Sequence, residues 1–165
     1  MKAAYECLGR LDDVLRRAGE LQARTIIFDV EPLVASWDTS QRALDEGLAR
    51  VLRRTSAVPG LQVVCFSTNS VRRPSAINGG SGPRAIYLAS ARKPIRTAPY
   101  REFPRPGFVV GDQVATDGVL AWRLGYGFLH YQPSHAQVPA GPRLLGYCGQ
   151  LIRPLLFTPE QDRQR

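Results

Sequence analysis

Long apolar runs are missing from this sequence. No stretch approaches the roughly 18 residues needed to cross a bilayer. The segment Met1 to Arg10 carries charge and has no apolar core of the kind that marks a secretory signal. Cysteine is scarce and odd in number: Cys7, Cys65 and Cys148 lie far apart and show neither a disulfide framework nor a metal-ligand spacing. That pattern predicts reduced thiols in a cytoplasmic protein, with Cys65 buried in a strand. Lysine is nearly absent, with Lys2 and Lys93 the only two among 22 basic residues. There is no internal repeat and no low-complexity block.

What is present is enough apolar residue for a core. The 165 residues are 44% hydrophobic, which predicts one folded domain over 1–165 and excludes a disordered chain. The net charge is +8, with 22 basic against 14 acidic residues. A basic surface suits anionic partners, whether phosphorylated substrates, nucleic acid or an anionic membrane face, and equally fits a merely soluble surface. The basic residues do not form one dense run with interleaved aromatics, so nucleic-acid binding is not specifically signalled.

Hydrophobic spacing predicts alternating helices and strands. Leu8, Leu11, Val14, Leu15, Ala18 and Leu21 recur at helical period over 8–22. Thr25-Ile26-Ile27-Phe28 is a short run without alternation, as in a buried parallel strand, and it ends at Asp29. A second helix is expected over 40–54 on Leu44, Leu48, Val51 and Leu52, with the turn out at Pro59-Gly60. Val63-Val64-Cys65-Phe66 is the next strand, ending at Ser67-Thr68-Asn69. Residues 72–83 are loop chemistry, and Ala85-Ile86-Tyr87-Leu88 is a third strand. Pro94, Pro99, Pro104 and Pro106 oppose a regular helix over 94–106. Phe108-Val109-Val110 is a fourth strand, followed by a helix over 116–124 closed by Gly125 and a strand at 128–131. This order argues for an α/β fold, a mainly parallel Rossmann-like sheet flanked by helices, with ligands bound at the carboxyl ends of the strands.

The reactive side chains gather at those ends. The first strand gives Asp29-Val30-Glu31, the second Ser67-Thr68-Asn69, the region after the third Lys93, and the fourth Gly111-Asp112-Gln113 with Asp117 beyond. This inventory suits phosphoryl transfer. A carboxylate can attack phosphorus, and a second acid can protonate the leaving oxygen and then activate water. A hydroxyl and a lysine can hold phosphoryl oxygens, while further carboxylates offer the hard oxygen ligands that Mg²⁺ prefers. Each group alone has a plainer reading as a cap, a turn residue or a solvated charge. Their shared order and strand-end placement carry the joint reading.

The arrangement resembles the haloacid dehalogenase (HAD) superfamily. Phe28-Asp29-Val30-Glu31-Pro32-Leu33-Val34 is similar to its first motif, Val64-Cys65-Phe66-Ser67-Thr68-Asn69 to its second, and Ala91-Arg92-Lys93-Pro94 to its third. Val110-Gly111-Asp112-Gln113-Val114-Ala115-Thr116-Asp117 is similar to its fourth. The Lys-Pro pair and the Gly-Asp-Gln-x-x-Thr-Asp run look closest to the YqeG-type branch, related to phosphatidylglycerophosphate phosphatases. The resemblance covers a core of about residues 20–132 and leaves 133–165 as a C-terminal extension. It implies that Asp29 is the nucleophile and a Mg²⁺ ligand. Glu31 would stand at the acid/base position and lend its backbone carbonyl to the metal. Ser67, Thr68, Asn69 and Lys93 would bind the phosphoryl group, and Asp112 and Asp117 would serve the metal.

The match departs in three ways. Family phosphatases carry Asp where this chain has Glu31, and Leu33 replaces a β-branched or hydroxyl residue. The stretches 72–84 and 94–106 hold Gly and Pro where the family commonly places helices, so one sheet face needs covering by a second copy of the chain or by the C-terminal segment. Only 37 residues separate Asp29 from Ser67 and 25 separate Ser67 from Lys93, which leaves no room for a large cap domain. Residues 143–157 mix apolar residues with arginine, as in an amphipathic membrane-surface segment; a tail packed on the sheet fits better. His130 and His135 read as structural, Trp37 and Trp122 as packing residues. The sequence thus points to a Mg²⁺-dependent phosphatase acting on a phosphomonoester, small or a lipid headgroup, through an aspartyl-phosphate. The alternatives are a weakly active or silent HAD-like domain used for binding or assembly and, with less support, a basic nucleic-acid-binding domain.

Overall fold

The chain forms β1 (Tyr5–Leu8), α1 (Leu11–Glu20), β2 (Thr25–Asp29), α2 (Gln41–Thr55), β3 (Val63–Ser67), β4 (Arg84–Leu88), β5 (Gly107–Gly111), α3 (Val119–Leu124) and β6 (Gly127–Tyr131). The computed structural model describes residues 4–36, 38–77, 80–132 and 149–157. Its six strands make one sheet in the order β1-β6-β5-β2-β3-β4, and every pairing is parallel. This is an α/β architecture of Rossmann-like type. Among the described residues no helix is long and apolar enough to cross a membrane. Trp37, His135 and Cys148, with the rest of 133–148, lie outside the described residues.

The apolar runs become central strands because both of their faces are buried. Along β2, Ile26 and Phe28 join one core with Val14, Leu44, Leu48 and Val51 of α1 and α2, whereas Ile27 joins the other. The alternation is the period of two that any strand imposes. The second face has less helix over it, for α3 has only six residues. Tyr100, Phe103 and Phe157 complete that core beside Leu120 and Leu124. The proline-rich stretch yields just a 3-10 turn at Ala98–Tyr100, yet its two rings supply the cover that a helix would otherwise give. Residues 149–156 are helical and bring Phe157 onto the same face.

Two elements differ from the sequence expectation. Strand β1 was not expected and shares only Leu8 with the helix expected over 8–22, of which α1 spans Leu11–Glu20. Four residues on a half-exposed sheet edge are too few to show a period of their own. The helix expected over 116–124 is divided: residues Val114–Gly118 form a π-helical turn, and α3 follows. In that turn the amides of Asp117 and Gly118 both donate to the Gln113 carbonyl, at 2.8 and 3.2 Å. Single π turns of this kind recur at functional sites. Gly125, at φ 67°, ends α3 in the left-handed conformation that glycine adopts without penalty.

The chain leaves β2 in two directions, through β3 and β4 on one side and through β5 and β6 on the other. The carboxyl ends of β2 and β5 therefore flank the point where strand order reverses, the usual ligand crevice of such sheets. The α2 helix is held close to the loop after β2, where a Cβ on Gly47 would overlap the Val34 carbonyl. Gly47→Ala should gain about 1 kcal/mol of helix propensity but lose about 1–3 kcal/mol to overpacking. Urea unfolding is expected to show a net loss of stability. A stabilised variant would show that the helix can shift.

Candidate active site

The centre is organised around one buried ammonium. Lys93 Nζ lies 2.9 Å from Asp29 Oδ1 and donates to Asp117 Oδ1 at 2.7 Å, with a side chain only 2% exposed. Asp29 ends β2, Asp117 sits in the π turn after β5, and Lys93 comes from the loop after β4. That loop is tied down by Asn69, whose Oδ1 accepts from the Lys93 amide at 2.7 Å while its Nδ2 donates to the Lys93 carbonyl at 3.1 Å. Nearby, the Ala91 amide donates to the Thr68 carbonyl at 2.9 Å and the Ser90 amide to the Ser70 carbonyl at 2.8 Å. Ser90 and Arg92 take φ of 50° and 55°, a left-handed backbone that costs a non-glycine residue energy and is common where a functional group is aimed. Gly111 matters for its missing side chain: a Cβ there would overlap the Asp117 carboxylate.

Asp112 completes an acidic cluster. One carboxylate oxygen each from Asp29, Asp112 and Asp117 lies within 4.8 Å of the others. Asp112 Oδ1 is buried and has no hydrogen-bond partner. Burial first, then the Asp117 charge, pushes the Asp112 carboxyl up to about 7. The same two causes raise Asp29 well above the usual carboxylate range, against the lowering pull of Lys93. Burial alone would lower Lys93, but the charges of Asp117 and Asp29 outweigh it and hold the ammonium above its ordinary value. Three carboxylates and one ammonium leave a formal charge of −2 in a place poorly reached by water.

The other sequence-predicted residues take distinct places. Glu31 is buried, and its carboxylate accepts from the Thr68 hydroxyl at 2.7 Å rather than joining the triad. The Thr68 oxygen in turn accepts from the Ser70 amide at 2.9 Å. Asp29, Glu31, Thr68, Asn69 and Lys93 line a cavity of about 200 Å³ together with Ser70, Gln113 and Thr116. Ser67 is not among the lining residues. It is fully buried, with its Oγ 2.6 Å from the Tyr100 hydroxyl. Of the two adjacent hydroxyl residues Ser67 and Thr68, it is Thr68 that lines the cavity, and the side chain of Asn69 serves the Lys93 backbone. Ser70, Gln113 and Thr116 were not singled out from sequence, although Gln113 and Thr116 stand inside the Gly-Asp-Gln-x-x-Thr-Asp run. His130, which sequence reading set aside, approaches the centre from β6, with Nε2 2.9 Å from the Asp112 carbonyl oxygen.

No family model, curated protein or solved structure matches this chain. The chemistry is therefore argued from the residues themselves. They bring together a carboxylate at a strand end, a fixed cation, a second carboxyl with a hydroxyl partner and a hard-oxygen cluster with an unpartnered atom.

The raised Asp112 has a consequence for stability. A carboxyl favoured in its neutral form by the fold stabilises the native state fully below its unfolded pKa of about 3.9. That contribution is lost as pH rises to its folded value of about 7. In chelator, the urea midpoint should fall between pH 4 and pH 7, and Asp112→Asn should flatten the fall. An unchanged pH slope in that variant would contradict the assignment.

Proposed function

We propose that this chain is a Mg²⁺-dependent phosphatase of haloacid dehalogenase-like type, acting on a phosphomonoester through an aspartyl-phosphate at Asp29. One observation carries the reading: Lys93 bridges Asp29 and Asp117 at the strand-order reversal, beside an Asp112 oxygen that lacks any protein partner. The donor set fits the metal. Asp29, Asp112 and Asp117 offer hard oxygens, and a divalent cation would offset the formal −2 and draw the raised carboxyls back to their charged forms. When bound, Mg²⁺ would supply charge neutralisation between the nucleophile and the phosphoryl oxygens.

The chain's own residues perform the remaining steps in this proposal. Asp29 attacks phosphorus with one carboxylate oxygen, and the bond from phosphorus to the ester oxygen breaks. Glu31, as the neutral acid, gives that oxygen its proton, so an alcohol leaves. Glu31 then takes a proton from water, which attacks the aspartyl-phosphate and regenerates Asp29 with release of phosphate. Lys93 holds the phosphoryl oxygens throughout. Thr68 fixes the rotamer of Glu31, which supports its service in both directions. The cavity is smaller than the roughly 300 Å³ at which pockets for drug-sized ligands begin. The phosphate would enter it while the rest of the substrate, a small molecule or a lipid headgroup, stays at the mouth. A cytoplasmic setting belongs to the same proposal, supported by the widely spaced cysteines.

A second reading draws on the same hydrogen bonds. With Lys93 already paired with two carboxylates and Glu31 held by Thr68, the network also suits a silent domain kept for binding or assembly. Phosphate release from a panel of phosphomonoesters, with and without Mg²⁺, separates the two. Mg²⁺-dependent turnover is expected, reduced to background by Asp29→Asn and by about a hundredfold or more by Glu31→Gln. Activity that survives Asp29→Asn removes the nucleophile assignment, and cation binding without turnover of any ester favours the silent domain.

A further inference from the structure

The segment 149–157 lies far along the chain from the acidic centre, yet one of its ends packs on the π turn between Asp112 and Asp117, and the other reaches Asp112 indirectly through Tyr5 and His130. At one end, Gly149 is packed against the π turn so closely that a Cβ would stand 2.9 Å from Val114 Cβ and 3.0 Å from the Ala115 amide nitrogen. At the other end, Phe157 lies against Tyr5 and Phe128, with ring centroids 5.5 and 5.6 Å away, and the Arg153 guanidinium sits 5.4 Å over the Tyr5 ring. Tyr5 is not an endpoint. Its hydroxyl is 2.7 Å from His130 Nδ1, and His130 Nε2 is 2.9 Å from the Asp112 carbonyl oxygen.

The chemistry of this chain of contacts has one direction. A backbone carbonyl can only accept, so Nε2 must carry the proton and donate to Asp112. Nδ1 is then the acceptor, and the Tyr5 hydroxyl must donate to it. Burial lowers the His130 pKa from its usual value, in keeping with a neutral ring. His130 is itself wedged flat against Phe128 at 5.4 Å. Its position is therefore set by the same aromatic stack that holds Phe157.

We infer that the C-terminal segment is a positioning element of the acidic centre, setting the Asp112–Asp117 loop through Gly149 on one side and through Phe157, Tyr5 and His130 on the other. Tyr5 and His130 are positioning residues: they touch the Asp112 backbone, not its carboxylate. The inference bears on the cation site proposed above and rests on that reading only where cation affinity is concerned. The placement of the loop is a separate claim with its own readout.

Hydrogen–deuterium exchange on the cation-free full chain, paired with Mn²⁺ titration, tests both. Tyr5→Phe keeps the ring and removes the hydroxyl that donates to His130, so it probes the relay without emptying the aromatic stack. It should speed exchange of the 112–118 amides relative to those of β2 and β3, and weaken Mn²⁺ binding about tenfold, the lower end of the effect seen when an outer partner of a ligand is lost. His130→Leu should do the same, whereas His130→Gln, whose amide can still donate to the Asp112 carbonyl, should restore much of both. Gly149→Ala should perturb the same amides from the opposite side. Exchange unchanged at 112–118, or raised equally across the sheet, would overturn the inference. If the variants show the expected exchange pattern but the wild type binds no Mn²⁺, the positioning role stands and the cation reading fails.

Discussion

A lysine ammonium at 2% exposure is stable only with its charge answered, and that requirement orders the rest of the centre. Lys93 needs Asp29 and Asp117 within hydrogen-bond reach, so the ends of β2 and β5 must sit side by side. It also needs its own backbone fixed, which Asn69 does through both the amide and the carbonyl. Gly111 must lack a side chain for Asp117 to approach. Without Lys93 the three carboxylates would stand with no cation among them, and removing one partner of a buried pair costs about 3–5 kcal/mol. Such a network is costly as a mere stabiliser, because a hydrophobic cluster of similar volume would serve at least as well. Its placement at a strand-order reversal, with a surplus of negative charge, is what favours the proposed chemical use.

The parts of this picture that sequence alone discloses are those with local causes. β2, β3 and β5 read as strands because they are buried on both faces and their apolar runs have no competing period. The residues at their ends follow directly, and Lys93 stands out in a chain that otherwise uses arginine. The parts it hides depend on distant partners. Ser67 and Thr68 are adjacent hydroxyls with similar propensities. Tyr100, 33 residues further on, takes up the first, and Glu31 takes up the second. Asn69 resembles a ligand donor until the loop from 89 to 93 folds back over it. β1 and the role of His130 emerge only once Tyr5 is seen beside β6, a pairing across more than 120 residues.

The covering of the second sheet face follows the same logic. Sequence reading left that face to a second copy of the chain or to the C-terminal segment. Tyr100 and Phe103 from the proline-rich loop, α3, and Phe157 now share that work. Large rings bury area efficiently without regular structure, since each can exclude well over 100 Å² of apolar surface from water. The loop keeps proline because its task is to place rings and a lysine, which does not need a helical backbone.

Glu31 is the residue on which the catalytic and silent readings divide, and its length has a structural cause. The carboxylate reaches Thr68 Oγ1 across the gap between the loop after β2 and the end of β3, at 2.7 Å. An aspartate at 31 would fall short by about one carbon–carbon bond, roughly 1.5 Å, and the Thr68 hydroxyl would lose its acceptor. The longer acid is therefore matched to its hydroxyl, which argues against a casual substitution in a decaying centre. That match also restrains the carboxyl. A group serving as acid and then base must face a leaving oxygen and later a water, and a single fixed rotamer favours that only if both arrive at the same place. In an in-line displacement on phosphorus held by Lys93 they do, because water enters where the alcohol left. On the catalytic reading, the hydrogen bond that restrains Glu31 is then compatible with turnover.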